Sequence, residues 1–213
     1  MRTPSLDGVR SPGPARSLAL LAATVAWLIL AASGMGILVR YSLTPGRPGE
    51  SPAHWPAATA LERPAGPYTL VLALHPRCAC SRATLSELAA IMTRSQGRLS
   101  ALVLFVQPRG FGEEWTKSDL WRAAAAIPGV RPLVDPEGRE ARRFGAFTSG
   151  QAALYDARGR LEFSGGITGA RAHEGTNAGE ISVVSVVGRS GANGAQTPVY
   201  GCALEASPSH KGS

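Results

Sequence analysis

The sequence predicts an α/β protein with a central mixed sheet, helices on both faces of that sheet, and one transmembrane helix before it. Three observations support this prediction. From Tyr68 onwards, short apolar runs of strand length alternate with stretches that have helical spacing. Two later apolar runs are joined by a short turn, which indicates a hairpin and hence an antiparallel edge. An uncharged apolar stretch near the N-terminus is long enough to cross a bilayer.

The apolar stretch covers residues 17–39 and contains no charged side chain. Residues 1–16 carry three arginines against one aspartate, so the positive-inside rule places this short tail in the cytoplasm. The predicted location is the inner (cytoplasmic) membrane, with a single pass and a soluble domain in the periplasm or extracytoplasmic space. A cleaved signal peptide is the alternative, because "AAS" resembles a processing site, although the apolar run continues beyond it.

Two further segments lack the pattern of a folded core. Residues 40–67 are dense in proline, glycine and small residues, which predicts a linker. Residues 205–213 are polar and predict a disordered tail. The folded domain is therefore expected to span residues 68–204.

This domain is predicted to follow the order strand, helix, strand, helix, strand, short helix, hairpin, helix. The last element is ambiguous because Ile181–Val187 is β-branched, but Thr176 and Asn177 before it are capping residues and favour a helix. The expected ranges are 68–74, 81–96, 101–106, 117–127 with Ser118 as a cap, 131–135, 138–146, the hairpin 151–166 turning through 157–159, and a helix after residue 177.

Cys78 and Cys80 lie between the first predicted strand and its helix. In open α/β sheets chemistry gathers at the carboxyl ends of strands, and the N–H groups of a helix start favour an anion such as a thiolate. This placement lowers a cysteine pKa and predicts Cys78 as a nucleophile. Arg77, Arg82 and a protonated His75 are expected to add to the effect.

Cys80 is the predicted resolving thiol, and Cys202 is the other possibility if the fold brings it near. Thiols outside the cytoplasm meet an oxidising environment, in which disulfides form and persist. With three cysteines, any internal pair leaves one thiol over. Cys202 stands in the apolar context "VYGCAL", where a lone cysteine is more often a buried small hydrophobic residue than a resolving thiol.

The motifs "HPRCACSRA", "FTSGQAALYDARGRLEFSGGIT", "HEGTNAG" and "PVYGCAL", with the order of elements, resemble the thioredoxin-like superfamily and its RedB-like membrane-anchored bacterial group. The resemblance covers Tyr68 to Leu204 and implies thiol chemistry. It places Cys78 at the attacking position, Ser81 where a CxxC motif has its second cysteine, and Gly150 where the family has a cis-proline.

The sequence thus predicts a membrane-tethered thiol–disulfide oxidoreductase without an organic cofactor, because sulfur itself carries the electrons. Its expected partners are protein thiols or disulfides of the cell envelope, or a transmembrane reductant. Nucleic acid is not expected, since the arginines of the domain are scattered and are not interleaved with aromatic residues. The Trp115 and Trp121 side chains are interpreted as packing residues.

Two other function classes remain open. A soft metal such as Cu(I) would suit Cys78, Cys80 and Cys202 with His75 or His173 as a further ligand, although the spacing is not that of a structural zinc site. A non-catalytic thioredoxin-like binding module is the second alternative. Within the redox class, a peroxidase resolved by Cys80 is a variant, and His173 with Glu174 could act as a base and its orienting partner.

Overall fold

The computed structural model describes residues 14–47, 49–188 and 195–204, and the chain divides into two compact units that meet between Tyr41 and Ser42. The first unit contains the helix α1, Pro14–Ser42, except for its last residue, and an 18-residue window of this helix has a mean hydropathy of 2.1. Its length and composition suffice to cross a membrane, and a signal sequence near the N-terminus has the same properties.

The second unit is built on a six-stranded mixed sheet with the order β3-β2-β1-β4-β5-β6. The pairs β1–β2, β2–β3 and β5–β6 are parallel, whereas β1–β4 and β4–β5 are antiparallel. The elements are β1 Tyr68–Leu74, α2 Ala79–Arg94, β2 Leu99–Gln107, a 3-10 turn Glu113–Trp115, α3 Asp119–Ala125, β3 Val130–Pro136, α4 Arg139–Arg143, β4 Gln151–Asp156, β5 Leu161–Gly166, α5 Ala178–Gly188 and β6 Ala195–Thr197.

This architecture confirms the predicted fold class, including the hairpin of β4 and β5. The ambiguous last segment is a helix because Asn177 caps it: its Oδ1 accepts the N–H groups of Gly179 at 3.0 Å and Glu180 at 3.1 Å. Ser118 stands at the cap position of α3, but its hydroxyl does not cap the helix. The short strand β6 was not predicted, since three residues carry too little pattern.

The sheet is covered on both faces, as the alternation along β1 requires. Leu70, Leu72 and Leu74 point into the larger core, which α2, α3 and α5 close. Val71 and Ala73 point to the opposite face, where α4 and aromatic side chains cover the sheet. Because β1 is central and fully enclosed, the turn that follows it is fixed to the most buried strand of the domain.

The residues 42–47 and 49–63, which we call the strap, lie along the domain, within the range 40–67 for which the composition predicts a linker. Trp55 packs edge-on against Phe144 and Tyr155, with ring centroids 5.0 and 5.4 Å away. The backbone of the strap is also bonded to the domain, because the Leu161 N–H donates to the Ala53 carbonyl at 2.9 Å. Proline and glycine correctly indicate a lack of helix and strand here, but an extended segment still buries its few large apolar side chains.

Candidate active site

Cys78 is fixed where the most buried strand passes into its helix. β1 ends at Leu74, residues 75–77 form a turn, and Cys78 is the N-cap residue of α2 with extended backbone angles, φ −95° and ψ 127°. The Cys78 N–H donates to the His75 carbonyl at 3.2 Å, and the Ser81 N–H donates to the Cys78 carbonyl at 3.0 Å. The thiol therefore stands beside the N–H groups of a helix start.

The thiol closest to Cys78 comes from the other end of the domain. The Sγ atoms of Cys78 and Cys202 lie 2.6 Å apart, although 124 residues separate them in sequence. Both are free thiols, as is Cys80. A disulfide bond is about 2.05 Å long, so a small displacement suffices to join the two sulfurs.

Cys202 reaches this position on a segment, residues 199–204, that we call the C-terminal segment. The Ser149 N–H donates to the Cys202 carbonyl at 2.8 Å, and the Leu204 N–H donates to the Phe147 carbonyl at 2.9 Å. Gly201 approaches the same edge so closely that a Cβ atom there would lie 1.9 Å from the Ser149 carbonyl oxygen. The segment is thus laid against the loop before β4 like a short antiparallel strand.

Arg171 ties the C-terminal segment to the strap. Its Nη1 donates to the Gly201 carbonyl at 2.6 Å, its Nε to the Thr44 carbonyl at 3.2 Å, and its backbone N–H to the Ser42 carbonyl at 3.0 Å. The planar guanidinium suits such a fork of contacts. Arg171 therefore fixes the residue next to Cys202.

The three thiols differ in exposure and in pKa. Cys78 is 4 % exposed and Cys80 8 %, whereas Cys202 is exposed. Burial raises the pKa of Cys78, but hydrogen bonds from the Cys202 thiol and from the backbone N–H groups of Cys202, Cys80 and Ser81 outweigh it, and the net pKa is lowered. Burial, and then the charge on Cys78, raise the pKa of Cys80.

Cys202 is exposed as a residue, but its thiol lies against Cys78. Partial desolvation of that thiol and then its hydrogen bond with Cys78 raise the pKa of Cys202 to about 12. When one of the two sulfurs in contact is ionised, the charge accordingly rests on Cys78. Cys78 is therefore the thiol that ionises first, and Cys202 is the one that keeps its proton.

A buried pair of serines supports the turn below Cys78. The Ser81 hydroxyl donates to the His75 carbonyl at 2.9 Å, and the Ser149 hydroxyl lies 3.0 Å from it. Since the single proton of Ser81 is used on His75, the Ser149 hydroxyl donates to Ser81. Ser149 Oγ in turn accepts the His75 N–H at 2.9 Å. Ser81, where a CxxC motif has its second cysteine, thus joins α2, the turn and the Ser149 loop.

The charged neighbours of Cys78 point elsewhere. The Arg77 guanidinium stacks on the Trp115 ring, 4.0 Å from its centroid, and Arg82 forms an ion pair with Asp119. Burial, and then the charge of Arg77, lower the pKa of His75. A neutral His75 does not supply the positive charge that the sequence led us to expect, and the helix-start N–H groups stabilise the thiolate instead.

Gly150 has a conformation that no proline adopts. Its φ is +95°, and its N–H donates to the Ala73 carbonyl at 2.8 Å. Proline fixes φ near −65° and has no N–H to donate. A side chain here would also meet Thr84 Oγ1 at 3.2 Å. Gly150 is therefore the residue that allows the loop to pass from Ser149 into β4.

The remaining predicted residues lie away from the sulfurs or serve packing. His173 is exposed and lines a cavity of about 560 Å³, and Glu174 accepts a hydrogen bond from Ser86 at 2.9 Å. Trp121 packs on Phe105 with ring centroids 5.3 Å apart. Within residues 14–47, 49–188 and 195–204, no three His, Cys, Asp or Glu side chains are grouped so that they could hold a metal ion.

Sequence reasoning missed Ser149 and Arg171. Ser149 was noted only within "FTSGQ", where nothing signals that its N–H and hydroxyl hold two separate segments. Arg171 is one arginine among many, and its contacts are with carbonyl oxygens that no sequence pattern reveals.

No protein-family model matches the chain, and no curated protein matches it. Solved structures do match. The hypothetical protein SMc02350 from Sinorhizobium meliloti 1021 is 22% identical over 78% of this chain and 97% of that chain, with a TM-score of 0.56. An uncharacterized conserved protein from Geobacillus kaustophilus is 13% identical over 78% and 94%, with a TM-score of 0.54. At these identities the similarity shows the fold.

Structural neighbours at lower similarity include thioredoxin-like proteins. The exposed lipoprotein thioredoxin Etrx1 from Streptococcus pneumoniae is 18% identical over 58% of this chain and 85% of that chain, with a TM-score of 0.39. The order of strands and the crossing through α2 give this chain a thioredoxin-like fold.

Proposed function

We propose that the protein is a thiol–disulfide oxidoreductase whose redox pair is Cys78 and Cys202. The observation that carries the proposal is the 2.6 Å contact between their sulfur atoms. The lowered pKa of Cys78 and the exposure of Cys202 support it. Exchange with a partner disulfide needs a thiol that ionises readily and a second thiol within reach of it, and this pair provides both.

In this reaction the two thiols lose two electrons and two protons and form one S–S bond, while a disulfide of the partner takes up both and becomes two thiols. The reverse reaction transfers the disulfide to a reduced partner. Both directions pass through a mixed disulfide between the protein and a cysteine of the partner polypeptide. No organic cofactor takes part in these steps.

Cys80 has a different role in this proposal from the one its spacing predicts. It stands in the first turn of α2, is 8 % exposed, and its pKa is raised by burial and then by the charge on Cys78. The pKa of Cys202 is raised as well, but Cys202 is exposed and its sulfur contacts that of Cys78, whereas Cys80 is buried. Cys80 is therefore the reserve partner of Cys78, and Cys202 is the first.

We place the domain outside the cytoplasm and tether it to the inner membrane through α1, with the N-terminus inside. The apolar length of α1 and the excess of arginine before it support this orientation. An oxidising compartment supports disulfide chemistry. The motifs around the cysteines support a place in the RedB-like group, with envelope protein thiols or a membrane reductant as partners.

The test is a disulfide map of the full chain in detergent across glutathione redox buffers. Trypsin separates Cys78 and Cys80, on the peptide 78–82, from Cys202, on the peptide 190–211. We expect the two peptides to be joined in oxidised protein. Cys80→Ala should keep this link, and Cys202→Ala should lose it.

Two results would contradict the proposal. One is that all three thiols stay reduced at every ratio of reduced to oxidised glutathione. The other is a disulfide that closes within the peptide 78–82, which would make Cys80 the partner of Cys78. As an activity control, oxidation of a reduced dithiol peptide by the protein disulfide should disappear in Cys78→Ser.

A further inference from the structure

The two sulfurs of the pair differ in how a partner can reach them. Cys202 is exposed, whereas Cys78 is 4 % exposed. A thiolate attacks a disulfide from behind the sulfur that it bonds to, in line with the bond that breaks. An exposed Cys202 can be approached by a partner thiolate from solvent. Cys78 is buried at the start of α2, where Cys80 and Ser81 are buried as well, and this leaves a partner little room to approach its sulfur.

From this geometry we infer that the sulfur exchanged with the partner is that of Cys202, and that Cys78 is the sulfur that leaves. The inference rests on the proposed Cys78–Cys202 pair and adds which sulfur reacts, in which order, and with which class of substrate. The substrate is a polypeptide that presents a reduced pair of cysteines.

The exchange takes place in two steps. The first thiolate of the partner bonds to Cys202 Sγ, the Cys78–Cys202 bond breaks, and its electron pair leaves with Cys78 as a thiolate. The second thiolate of the partner then attacks the partner's own sulfur in the mixed disulfide, and Cys202 leaves and takes up a proton. The partner ends as a disulfide and the protein as two thiols.

The surroundings of each sulfur suit these roles. A disulfide breaks most readily towards the thiol of lower pKa, and the pKa of Cys78 is lowered while that of Cys202 is raised to about 12. The N–H groups of the helix start stabilise the leaving Cys78 thiolate. A stabilised thiolate favours the reduced protein, so the arrangement favours electron flow from the partner to this chain.

The attachment of Cys202 also suits exchange with a partner. Its backbone is held through the Ser149 N–H and, at Gly201, through Arg171, and both bonds use carbonyl oxygens of the C-terminal segment. None of them uses the Cys202 side chain, whose sulfur contacts the Cys78 sulfur. Replacing that contact by a bond to a partner sulfur therefore leaves the hydrogen bonds of the backbone in place.

The experiment identifies the cysteine that carries the first adduct. The full chain in detergent is oxidised to its Cys78–Cys202 disulfide and treated briefly with reduced glutathione as the probe. The reaction is stopped with acid, free thiols are alkylated, and the tryptic peptides 78–82 and 190–211 are compared by mass spectrometry. We expect about tenfold more glutathione on Cys202 than on the peptide 78–82 at the earliest times, with Cys78 alkylated.

Glutathione found mainly on the peptide 78–82, or equally on both peptides, would overturn the inference while leaving the redox pair intact. Absence of the starting disulfide would instead overturn the proposed function, so the two failures are distinguishable. Cys80→Ser is the matched variant, because it shows that the adduct has not moved through the third thiol. In Cys78→Ser, glutathione loaded on Cys202 should persist, since the thiol that releases it is gone.

Discussion

The two segments that meet at the sulfur pair are built in different ways. Residues 75–82 leave the central strand β1 and continue as α2, whose inner side belongs to the main core. Residues 199–204 contact the loop before β4 through backbone hydrogen bonds and Arg171, and their Val199 and Leu204 side chains are buried. Cys78 is therefore fixed by consecutive elements of the main core, whereas Cys202 is placed by one short segment.

This difference separates folding from chemistry. A change beneath Cys78 removes interactions that hold β1, α2 and the Ser149 loop together, so it should reduce the stability of the whole domain. A change in the C-terminal segment should move Cys202 away from Cys78 while leaving the core intact. Substitutions in the two segments test this contrast directly.

The largest effect is expected from Gly201→Ala. The new Cβ would lie 1.9 Å from the Ser149 carbonyl oxygen, which belongs to the backbone and has little room to give way. The C-terminal segment must shift outwards, and a displacement of about 1 Å in reacting groups costs on the order of 100-fold in rate. We expect the rate of Cys78–Cys202 disulfide formation in glutathione buffer to fall by about that factor.

Gly169→Ala is the matched control for this variant. Its Cβ would lie 3.5 Å from the Asn177 Cβ, an ordinary contact, and its backbone does not need a positive φ. Disulfide formation should stay within about twofold of the wild type. A Gly201→Ala protein that closes its disulfide at the wild-type rate would show that the position of Cys202 does not depend on the close approach of Gly201 to the Ser149 carbonyl, and would contradict the contrast.

Arg171→Ala should have the next largest effect. It removes the donors to the Gly201 and Thr44 carbonyls, and each lost bond of this kind costs about 1 to 3 kcal/mol. Without these bonds Cys202 is held less firmly beside Cys78. The equilibrium constant for forming the Cys78–Cys202 disulfide from oxidised glutathione should therefore fall by about tenfold.

Arg171→Lys keeps one charged donor but not the fork, and should recover only part of this loss. Urea unfolding of the reduced protein separates the two explanations. Arg171→Ala could instead lower the unfolding free energy strongly and leave the disulfide equilibrium unchanged. In that case Arg171 would stabilise the domain as a whole and would not position the C-terminal segment.

Ser81→Ala tests the scaffold side of the contrast. It removes a hydroxyl that donates to the His75 carbonyl and accepts from Ser149, in a residue that is fully buried. The free energy of unfolding should fall by about 1 to 2 kcal/mol. Ser182→Ala, which loses an exposed hydroxyl bond within α5, should change it by less than about 0.5 kcal/mol. Equal losses in the two variants would contradict the supporting role of Ser81.

The same contrast explains what the sequence could predict. Alternation, helical spacing and turn residues are local, and they were enough to predict the order of elements, the hairpin and the cap at Asn177. The strap was missed because Trp55 carries most of its packing on its own, without a period. β6 was missed because its three residues are too few for a pattern.

The site divides in the same way. Cys78 at a helix start follows from local sequence, because the strand, the turn and the helix are contiguous. The partner thiol does not, because Cys202 is 124 residues away and arrives through backbone bonds at Ser149 that any residue can make. Spacing therefore pointed to Cys80, and only the tertiary structure places Cys202 against Cys78.

The smallest predicted effect concerns pH and His75. Burial, and then the charge of Arg77, lower the pKa of this histidine from 6.5 in the folded protein. Below pH 6.5 the unfolded chain therefore binds more protons at this residue than the folded one, and stability should decline as the pH falls. One proton sets an upper limit of about 1.4 kcal/mol per pH unit on that slope.

His75→Asn keeps an acceptor for the Arg77 N–H, which His75 Nδ1 accepts at 3.2 Å, but it does not titrate. Urea unfolding of both proteins at a series of pH values isolates the contribution of His75. The wild type should lose stability relative to the variant as the pH falls below 6.5. A difference that stays constant with pH would mean that His75 is as free to take up a proton in the folded protein as in the unfolded chain, and that the turn beneath Cys78 is less enclosed than the scaffold side of the contrast requires.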